Sequence, residues 1–407
     1  MNLQLQKSPV ATQSAIVISG SKSESNRLLL LKALHPNIQI RNLSNSDDSQ
    51  VMQDALKSES KVVDIHHAGT AMRFLTAYFA IQEGREITLT GSSRMKERPI
   101  KILVDALNSL GASISYLENQ GFPPLRIKGK KLTNNKISIL ANTSSQYITA
   151  LLLIGSKLEN GIELTLEGEI TSIPYINMTL SLLNEIGIIT SFEENTIRVL
   201  PTAQPQQPMA LTVESDWSSA SYFYSVVALS EEGTSIKLSS YKKNSLQGDS
   251  ILAEMYKSFG VETLYEGDTI SLKKISRALP SINFDLIKSP DIAQTIAVTA
   301  FGLGLKCDLY GLHTLKIKET DRLLALKAEI EKLGGTVEVT DKSLHLASFS
   351  GAFKQVAINT YDDHRMAMAF APLALKTYIM IKDAEVVSKS YPDFWDHLKA
   401  IGFQISQ

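Results

Sequence analysis

The chain has little that would place it outside a reducing compartment or inside a membrane. Its 407 residues include one cysteine, Cys307, which excludes an intrachain disulfide and cannot by itself form a cysteine-based metal cluster. Its longest apolar stretches, such as residues 148–154, are far too short to span a bilayer, and residues 1–13 lack the apolar region of a signal peptide. We therefore expect a cytoplasmic protein that is neither exported nor inserted into a membrane.

The chain also lacks an excess of charge of either sign. Its net charge is −1 and its isoelectric point is near 6.7, so no overall field draws it to nucleic acid or to an anionic membrane. The phosphate-binding pattern GxxxxGK[ST], the dinucleotide pattern GxGxxG and the zinc pattern HExxH are absent. His66 and His67 are adjacent, so their side chains diverge, and we expect no metal site.

What the sequence does contain is a long internal repeat. Helical patterns that end in an apolar residue and a glycine, followed by a strand-like stretch, recur at spacings of 68 to 76 residues. We expect each of these glycines to take a positive φ just beyond a helix. The glycines are Gly111, Gly187, Gly260, Gly334 and Gly402. A sixth, weaker copy without the glycine is expected at residues 51–57.

A second series of patterns runs in phase with the first. Polar clusters open into strongly apolar helices, which predicts six interior helices whose polar residues collect at their N-termini. These clusters are centred on Ser23, Thr70, Ser145, Ser218, Asp291 and Asp363. We infer six units of roughly 70 residues, arranged as two domains of three, with a cleft that gathers the helix N-termini. The proline-rich stretch at residues 201–210 is the clearest candidate linker.

The stretch at residues 18–34, ISGSKSESNRLLLLKAL, is typical of an anion site. A turn of small residues delivers Lys22, Ser23 and Arg27 to the first turns of a helix. Unpaired backbone N–H groups, a hydroxyl and two cationic side chains then face the same ligand. A capped, buried helix with solvated charges is the alternative for this stretch taken alone.

Four dense charge clusters adjoin apolar segments elsewhere. They lie at residues 94–98, 318–322, 362–365 and 389–393. The alternative for each is a solvated run of charges that compensate one another, and the adjoining apolar segments argue against it. We expect Pro99 to occupy the first position of a helix that begins near Ile100. We also expect Lys318 and Arg322 to share one face of a helix, four residues apart.

The number of cations exceeds what one phosphate needs and favours two anionic ligands or one with several anionic groups. Asp291, Glu319 and His364 are then available as general acids or bases. The cations counted are Lys22, Arg27, Arg73, Arg94, Arg322, Arg365 and Lys389.

Taken in order, these motifs resemble the 5-enolpyruvylshikimate-3-phosphate (EPSP) synthase family of enolpyruvyl transferases. The matching pieces are GSKSESNR, NSDD, AGTAMR, RMKERPI, SSQ, IPYI, SSASYF, LQGD, KETDRL, DDHRMAMAF and KSYPDF, and they extend from residue 20 to residue 394. The resemblance implies an α/β fold, a two-domain inside-out α/β barrel in which each domain has three βαβαββ units, giving a six-fold internal repeat. It implies a discontinuous domain I of residues 1–19 and 217–407, a domain II of residues 20–216, and an active site in the interdomain cleft.

The resemblance also implies a reaction and its residues. The enolpyruvyl group of phosphoenolpyruvate is transferred to the 5-hydroxyl of shikimate 3-phosphate by addition and elimination, with release of phosphate, in aromatic amino-acid biosynthesis. The resemblance implies catalytic roles for Lys22, Asp291, Glu319 and His364, and neither a metal nor an organic cofactor. Shikimate 3-phosphate would be held by Lys22, Ser23, Arg27, Ser144, Ser145, Gln146, Ser172, Tyr175, Asp291 and Lys318. Phosphoenolpyruvate would be held by Lys22, Gly69, Arg94, Gln146, Arg322, Arg365 and Lys389. We expect a monomer, sensitive to glyphosate because Gly69 is present.

Two other functions are compatible with the pattern. A sister enolpyruvyl transferase acts on UDP-N-acetylglucosamine, but it commonly carries a cysteine in the loop that corresponds to residues 92–98, and none is present here. An inactive homologue that only binds anions is disfavoured because Lys22, Asp291, Glu319, Arg365 and Lys389 are all present.

Overall fold

The computed structural model describes residues 1–141, 144–168, 170, 173–202 and 208–407. The chain divides into two compact units: unit 1 contains residues 1–20 and 214–407, and unit 2 contains residues 21–213. Each unit has its own hydrophobic core. The chain passes from unit 1 to unit 2 after residue 20 and returns after residue 213. The boundaries expected from the sequence, after residues 19 and 216, differ from these by one and three residues.

Unit 2 contains seven α-helices and ten strands within its described residues. The helices are α1 (Lys22–Leu34), α2 (Asp47–Lys57), α3 (Gly69–Ala80), α4 (Ser93–Lys96), α5 (Lys101–Ser109), α6 (Ser145–Gly155) and α7 (Ile173–Glu185). Unit 1 contributes strands β1 (Leu3–Leu5) and β2 (Gln13–Ile16), so those of unit 2 begin at β3. They are β3 (Ile38–Arg41), β4 (Val62–Asp64), β5 (Glu86–Thr90), β6 (Ser113–Tyr116), β7 (Leu125–Lys128), β8 (Lys136–Leu140), β9 (Ile162–Glu167), β10 (Thr190–Glu193), β11 (Thr196–Val199) and β12 (Met209–Thr212).

Unit 1 continues the same numbering after the chain returns to it. Its helices are α8 (Trp217–Leu229), α9 (Leu252–Met255), α10 (Ala293–Gly302), α11 (Arg322–Leu333), α12 (His364–Phe370) and α13 (Phe394–Ala400). Its remaining strands are β13 (Ser235–Ser239), β14 (Val261–Glu266), β15 (Thr269–Lys274), β16 (Ser281–Asp285), β17 (Lys306–Tyr310), β18 (Val337–Val339), β19 (Leu344–Leu346), β20 (Ala357–Ile358), β21 (Ile379–Ile381) and β22 (Ile405–Ser406). Short 3-10 helices cover Gly248–Ile251, Tyr256–Phe259, Pro290–Ile292, His313–Ile317, Ala371–Leu375 and Ala384–Lys389.

The sheets repeat one pattern. In the order β4-β5-β7-β6, the first two strands are parallel and are joined through a helix, and the last two form an antiparallel hairpin. The sheets β8-β9-β11-β10 and β16-β17-β19-β18 have the same order. The sixth copy, which the sequence marks as the weakest, is reduced to the parallel pair β3 and β12. The predicted α/β fold with six repeats is confirmed.

The N-terminal residues complete two sheets of unit 1. Strand β1 lies between β21 and β22 and is antiparallel to both, and β2 runs parallel to β13. A parallel pair needs a long crossover connection, and here that connection includes the whole of unit 2. The bridge between Gly20 and Ser215 joins the two points where the chain leaves and re-enters unit 1.

Six helices are buried on almost every side, as the apolar patterns predict: α1, α3, α6, α8, α10 and α12. Residues 28–31 of α1, four consecutive leucines, are all buried. Burying one such side chain contributes about 1.5–3 kcal/mol of stability. Because four consecutive residues point to all sides of a helix, their burial requires neighbours on every face of α1. The glycines expected at helix ends also have positive φ, from 74° at Gly260 to 118° at Gly402.

Three local predictions are wrong. Helix α11 begins at Arg322, and Lys318 follows a 3-10 helix with ψ of −144°, so the two residues do not share a helical face. Pro99 precedes the N-cap residue Ile100 instead of occupying the first helical position. The described ends of the proline-rich stretch belong to unit 2, so this stretch does not link the units; residues 203–207 lie outside the described residues.

Within the described ranges, no helix is both long and apolar enough to cross a membrane.

Candidate active site

The most concentrated charge cluster of unit 1 is built around Arg322, which is only 2% exposed. Its Nε donates to Asp363 Oδ2 at 2.6 Å, its Nη1 to Asp291 Oδ1 at 2.9 Å and its Nη2 to Glu319 Oε2 at 2.8 Å. Burial disfavours the charged guanidinium, but the three carboxylates outweigh that effect and raise the pKa of Arg322. The planar guanidinium thus orients three carboxylates at once.

Helix termini hold this arrangement in place. Asp321 caps α11 by accepting from the backbone N–H groups of Leu323 and Leu324, which fixes Arg322 in the first turn. Asp363 caps α12 by accepting from the backbone N–H of Arg365 at 2.9 Å. Asp363 therefore serves both as a helix cap and as a partner of Arg322. The sequence places it in the DDHR cluster but does not identify this pairing.

Asp291 lies where three cations meet. Its carboxylate is within 3.4 Å of Lys318 Nζ and of Arg365 Nη2, in addition to the bond from Arg322. Arg365 Nη1 also donates to the backbone carbonyl of Asp291 at 3.0 Å. Burial would raise the pKa of Asp291, but Lys318, Arg365 and Arg322 together lower it. Asp291 is therefore ionised at neutral pH, and it is a weak proton acceptor while these cations hold it.

Glu319 is held between two cations. It accepts from Arg322 Nη2 and from Lys389 Nζ, each at 2.8 Å. Burial opposes the charged form, but Arg322, Lys389 and His364 lower the pKa of Glu319 well below its usual range. His364 is itself buried, with Nδ1 at 3.8 Å from Asp363 Oδ1. The residues predicted for unit 1 thus converge on one cluster: Asp291, Lys318, Glu319, Arg322, His364, Arg365 and Lys389.

Two further residues join this cluster although sequence reasoning did not assign them. Ser218, in the first turn of α8, donates to Asp249 Oδ2 and accepts from Arg365 Nη2 at 3.3 Å. Burial raises the pKa of Asp249 to about 6, and the Asp291 charge contributes in the same direction while Arg365 opposes it. The LQGD piece contains Asp249 and was the available signal.

In unit 2, Arg27 is buried and surrounded by oxygen atoms. Its Nε donates to Thr179 Oγ1 at 2.9 Å, its Nη1 to the Ser23 carbonyl at 2.7 Å, and its Nη2 to Thr149 Oγ1 at 3.3 Å. The guanidinium carbon also lies 5.9 Å from the centre of the Tyr175 ring. Burial lowers the pKa of Arg27 to about 10, which still leaves it charged at neutral pH.

Lys22 begins α1 and forms an ion pair with Asp48 at 3.2 Å. Asp48 comes from the NSDD piece and is buried in the first turn of α2. Gln146, in the first turn of α6, donates to Thr70 Oγ1 of α3 at 3.1 Å. Ser144 caps α6 by accepting from the backbone N–H of Gln146. Five of the predicted residues of this unit thus lie at the N-termini of the buried helices α1 and α6: Lys22, Ser23, Ser144, Ser145 and Gln146.

Gly69 begins α3 against an arginine side chain. A Cβ atom at this position would approach Arg98 Nη1 to 2.6 Å, so a residue other than glycine would displace that guanidinium. Arg73, one turn later, donates to the carbonyls of Gly69 and Pro99. Burial lowers the pKa of Arg73 to about 10. Arg73 therefore fastens the RMKERP segment to α3.

Two predicted residues have a different status. Arg94 lies on α4 with a 56% exposed side chain, and its ion pair at 2.8 Å is with Glu97, the C-cap residue of that helix. The structure thus brings it to none of the other predicted residues of unit 2 that are described. Ser172 lies outside the described residues. Among the residues that are described, no group of three or more His, Cys, Asp and Glu side chains is arranged to hold a metal ion.

Comparison with known proteins agrees with these features. The sequence model of the family described as EPSP synthase (3-phosphoshikimate 1-carboxyvinyltransferase) matches residues 57–398. A 3-phosphoshikimate 1-carboxyvinyltransferase of Bacteroides fragilis is 47% identical over 98% of both chains. A relative of the same name from Photobacterium damsela subsp. piscicida is 38% identical and covers 94% of this chain and 96% of its own length.

Solved structures support the fold. EPSP synthase from Acinetobacter baumannii has a TM-score of 0.81 with 20% identity, covering all of both chains. The match of the family model over most of the chain and the identity to full-length relatives lead to one conclusion. The chain belongs to the EPSP synthase family.

Proposed function

We propose that this protein transfers the enolpyruvyl group of phosphoenolpyruvate to the 5-hydroxyl of shikimate 3-phosphate and releases phosphate. The observation that carries the proposal is the unit 1 cluster, in which Asp291 and Glu319 are kept ionised by Lys318, Arg322, Arg365 and Lys389. Such a cluster offers both proton acceptors and cations for anionic substrates. The names of the full-length relatives support the same activity.

The two substrates together carry more anionic groups than one cationic side chain can neutralise. We propose that shikimate 3-phosphate contacts Lys22, Ser23, Arg27, Ser144, Ser145, Gln146, Ser172, Tyr175, Asp291 and Lys318. We propose that phosphoenolpyruvate contacts Lys22, Gly69, Arg94, Gln146, Arg322, Arg365 and Lys389. The helix N-termini of α1 and α6 add N–H donors and a favourable dipole to the phosphate side.

The addition step needs an acceptor for the hydroxyl proton and a donor for the methylene carbon. Asp291 is the proposed acceptor, because it is ionised and because substrate anions that bind Lys318, Arg322 and Arg365 relieve the lowering of its pKa, as they do for Glu319. The hydroxyl oxygen forms a bond to the enolpyruvyl carbon while the methylene gains a proton and becomes a methyl group. In the elimination step the carbon–phosphate oxygen bond breaks, the methyl group returns a proton, and phosphate leaves.

Glu319 is the proposed carrier of the methylene proton, with Lys22 and His364 assisting. In the structure its carboxylate is too strongly stabilised by Arg322 and Lys389 to hold a proton at neutral pH. Both cations belong to the proposed phosphoenolpyruvate set. An arriving anion competes for them and raises the pKa of Glu319 towards the working pH. Substrate binding and activation of the acid are thereby coupled.

The test is phosphate release from the purified protein given phosphoenolpyruvate and either shikimate 3-phosphate or UDP-N-acetylglucosamine. We expect release only with shikimate 3-phosphate. Release with the nucleotide sugar would establish the sister activity, and release with neither would establish an inactive anion-binding homologue.

We further propose a monomer that acts in the cytoplasm. The absence of an intrachain disulfide supports a reducing compartment, since Cys307 is the one cysteine of the chain and is free. Light scattering of the purified protein tests the first proposal, and fractionation of the producing cells tests the second.

A further inference from the structure

Beyond the charge cluster, unit 1 contains a buried carboxylate that none of the proposed steps uses. Glu329 lies on α11, seven residues after Arg322, and is fully buried. Seven residues are about two helical turns, or about 10 Å along the axis, so both side chains leave the same face of the helix. A buried carboxylate is costly unless it is paired and hydrogen-bonded.

Two partners of Glu329 lie on the loop formed by residues 359–363, and a third lies on α11. Tyr361 Oη donates to Glu329 Oε1 at 2.6 Å, and the backbone N–H of Asn359 donates to Glu329 Oε2 at 3.2 Å. Lys332 Nζ is 2.7 Å from both carboxylate oxygens and balances the charge. The Tyr361 bond has the length of a charge-assisted O–H···O⁻ bond.

This loop needs such support because of its backbone. Tyr361 and Asp362 have φ values of 56° and 54°, so two consecutive residues other than glycine are left-handed. That conformation is unfavourable for a residue with a side chain and persists only where the surroundings impose it. The bonds to Glu329 supply that constraint at one end of the loop.

The other end of the loop carries residues of the charge cluster. Asp363, the next residue, accepts from Arg322 and caps the helix that begins with His364 and Arg365. Helix α11 therefore forms hydrogen bonds with the loop at two points, through Arg322 in its first turn and through Glu329 two turns later.

We propose that Glu329 and Tyr361 are positioning residues that set the orientation of His364 and Arg365 for phosphoenolpyruvate. The inference rests on the proposed assignment of Arg365 to that substrate. It predicts a selective effect: loosening the loop moves Arg365 but leaves the residues of unit 2 that are assigned to shikimate 3-phosphate unchanged.

The decisive variant is Tyr361→Phe, which removes one hydroxyl and leaves Lys332 to balance Glu329. We expect the KM for phosphoenolpyruvate to rise about tenfold, the loss associated with a hydrogen bond to a charged group. The KM for shikimate 3-phosphate should change less than twofold. The matched control is Tyr310→Phe, in the same unit and comparably exposed, at 42% against 37% for Tyr361. It should keep wild-type kinetics.

A merely structural role gives a different result. It lowers the fraction of active enzyme, so apparent kcat falls while both KM values stay unchanged, and that outcome would overturn the proposal. Normal kinetics in Tyr361→Phe would overturn it as well. Glu329→Gln provides a second measurement, since it keeps an acceptor for Tyr361 but removes the charge that strengthens their bond. The double variant should lose less than the sum of the two single variants, because both changes weaken the same contact, and strictly additive losses would contradict the proposed coupling.

Failure of the proposed reaction is recognised separately. In that case the wild-type protein releases no phosphate from phosphoenolpyruvate and shikimate 3-phosphate. The positioning proposal is then judged from binding of phosphoenolpyruvate alone to the wild-type protein and to Tyr361→Phe, where equal affinity would refute it.

Discussion

Replacing Glu319 with glutamine separates its proposed proton transfer from its part in holding the charge cluster. The carboxylate accepts two charge-assisted hydrogen bonds, from Arg322 and Lys389. A glutamine amide keeps one acceptor oxygen and turns an N–H group towards the second cation. The variant thus keeps the shape of the side chain and loses both its charge and its ability to carry a proton.

The expected loss follows from the proposed role. General acid–base catalysis contributes about 100-fold or more, so turnover should fall by at least that factor, or about 2.7 kcal/mol in the barrier. The KM for phosphoenolpyruvate should stay unchanged or fall, because Lys389 and Arg322 no longer share their charge with a carboxylate. Stability should drop by only about 1–2 kcal/mol, since the Glu319 side chain is 17% exposed and Arg322 keeps Asp291 and Asp363.

The assay is steady-state phosphate release with each substrate varied in turn, accompanied by thermal unfolding. Glu331→Gln is the matched control, because Glu331 lies on α11 and pairs with the exposed Lys327 one turn away. Its turnover should stay within about twofold of wild type. Turnover of Glu319→Gln within threefold of wild type would refute the assigned role. A large rise in the KM for phosphoenolpyruvate would refute the idea that the carboxylate and the substrate compete for the same cations.

Three further changes test other parts of the structure. Arg27→Ala should weaken binding of shikimate 3-phosphate by about tenfold or more, measured calorimetrically, and unchanged affinity would mean that Arg27 does not contact this substrate. Arg322→Met should lower the free energy of unfolding by about 3–5 kcal/mol at pH 7, because it leaves three carboxylates without their shared cation. Arg322 lowers the pKa of Asp291 and of Glu319, so the stability that it adds is present above the pKa values of these groups in the unfolded chain and is lost on acidification. The difference in unfolding free energy between wild type and Arg322→Met should therefore shrink below about pH 4 in denaturant titrations. Asp249→Asn should change the pH dependence of stability in the opposite direction. Burial raises the pKa of Asp249 to about 6, so the native state loses stability as pH rises through 6. The variant should therefore be more stable than wild type by up to about 3 kcal/mol at pH 8 and as stable as wild type below about pH 4. A variant that is no more stable at pH 8 would show that the Asp249 carboxylate is compensated by neighbours.

The repeats were predictable because their signals are local. A polar cluster followed by an apolar run predicts a buried helix with a polar N-terminus, and all six such segments form helices. The glycines at helix ends have a positive φ for an equally local reason, since a residue without Cβ adopts it freely. The reduced sixth repeat follows the weakness of its pattern.

Local patterns failed where the chain leaves regular geometry. The spacing of Lys318 and Arg322 suggested one helical face, but Lys318 lies outside α11 and both side chains reach Asp291 from different elements. Arg94 resembles its neighbours in charge, yet it pairs with Glu97 on the surface of its own short helix. Charge alone does not tell an exposed ion pair from a buried one.

The sequence by itself determined the family, the six buried helices and the kinds of side chain at their N-termini, because each of these depends on residues that are close along the chain. Only the tertiary structure decided which of those side chains meet. Arg322 contacts Asp363 across 41 residues of sequence, Arg27 contacts Thr179 across 152, and β1 pairs with β21 at the far end of the chain. Such contacts depend on how whole sheets and helices pack. A buried charge is costly unless it is paired, and packing determines which oppositely charged or polar groups lie close enough to pair with it.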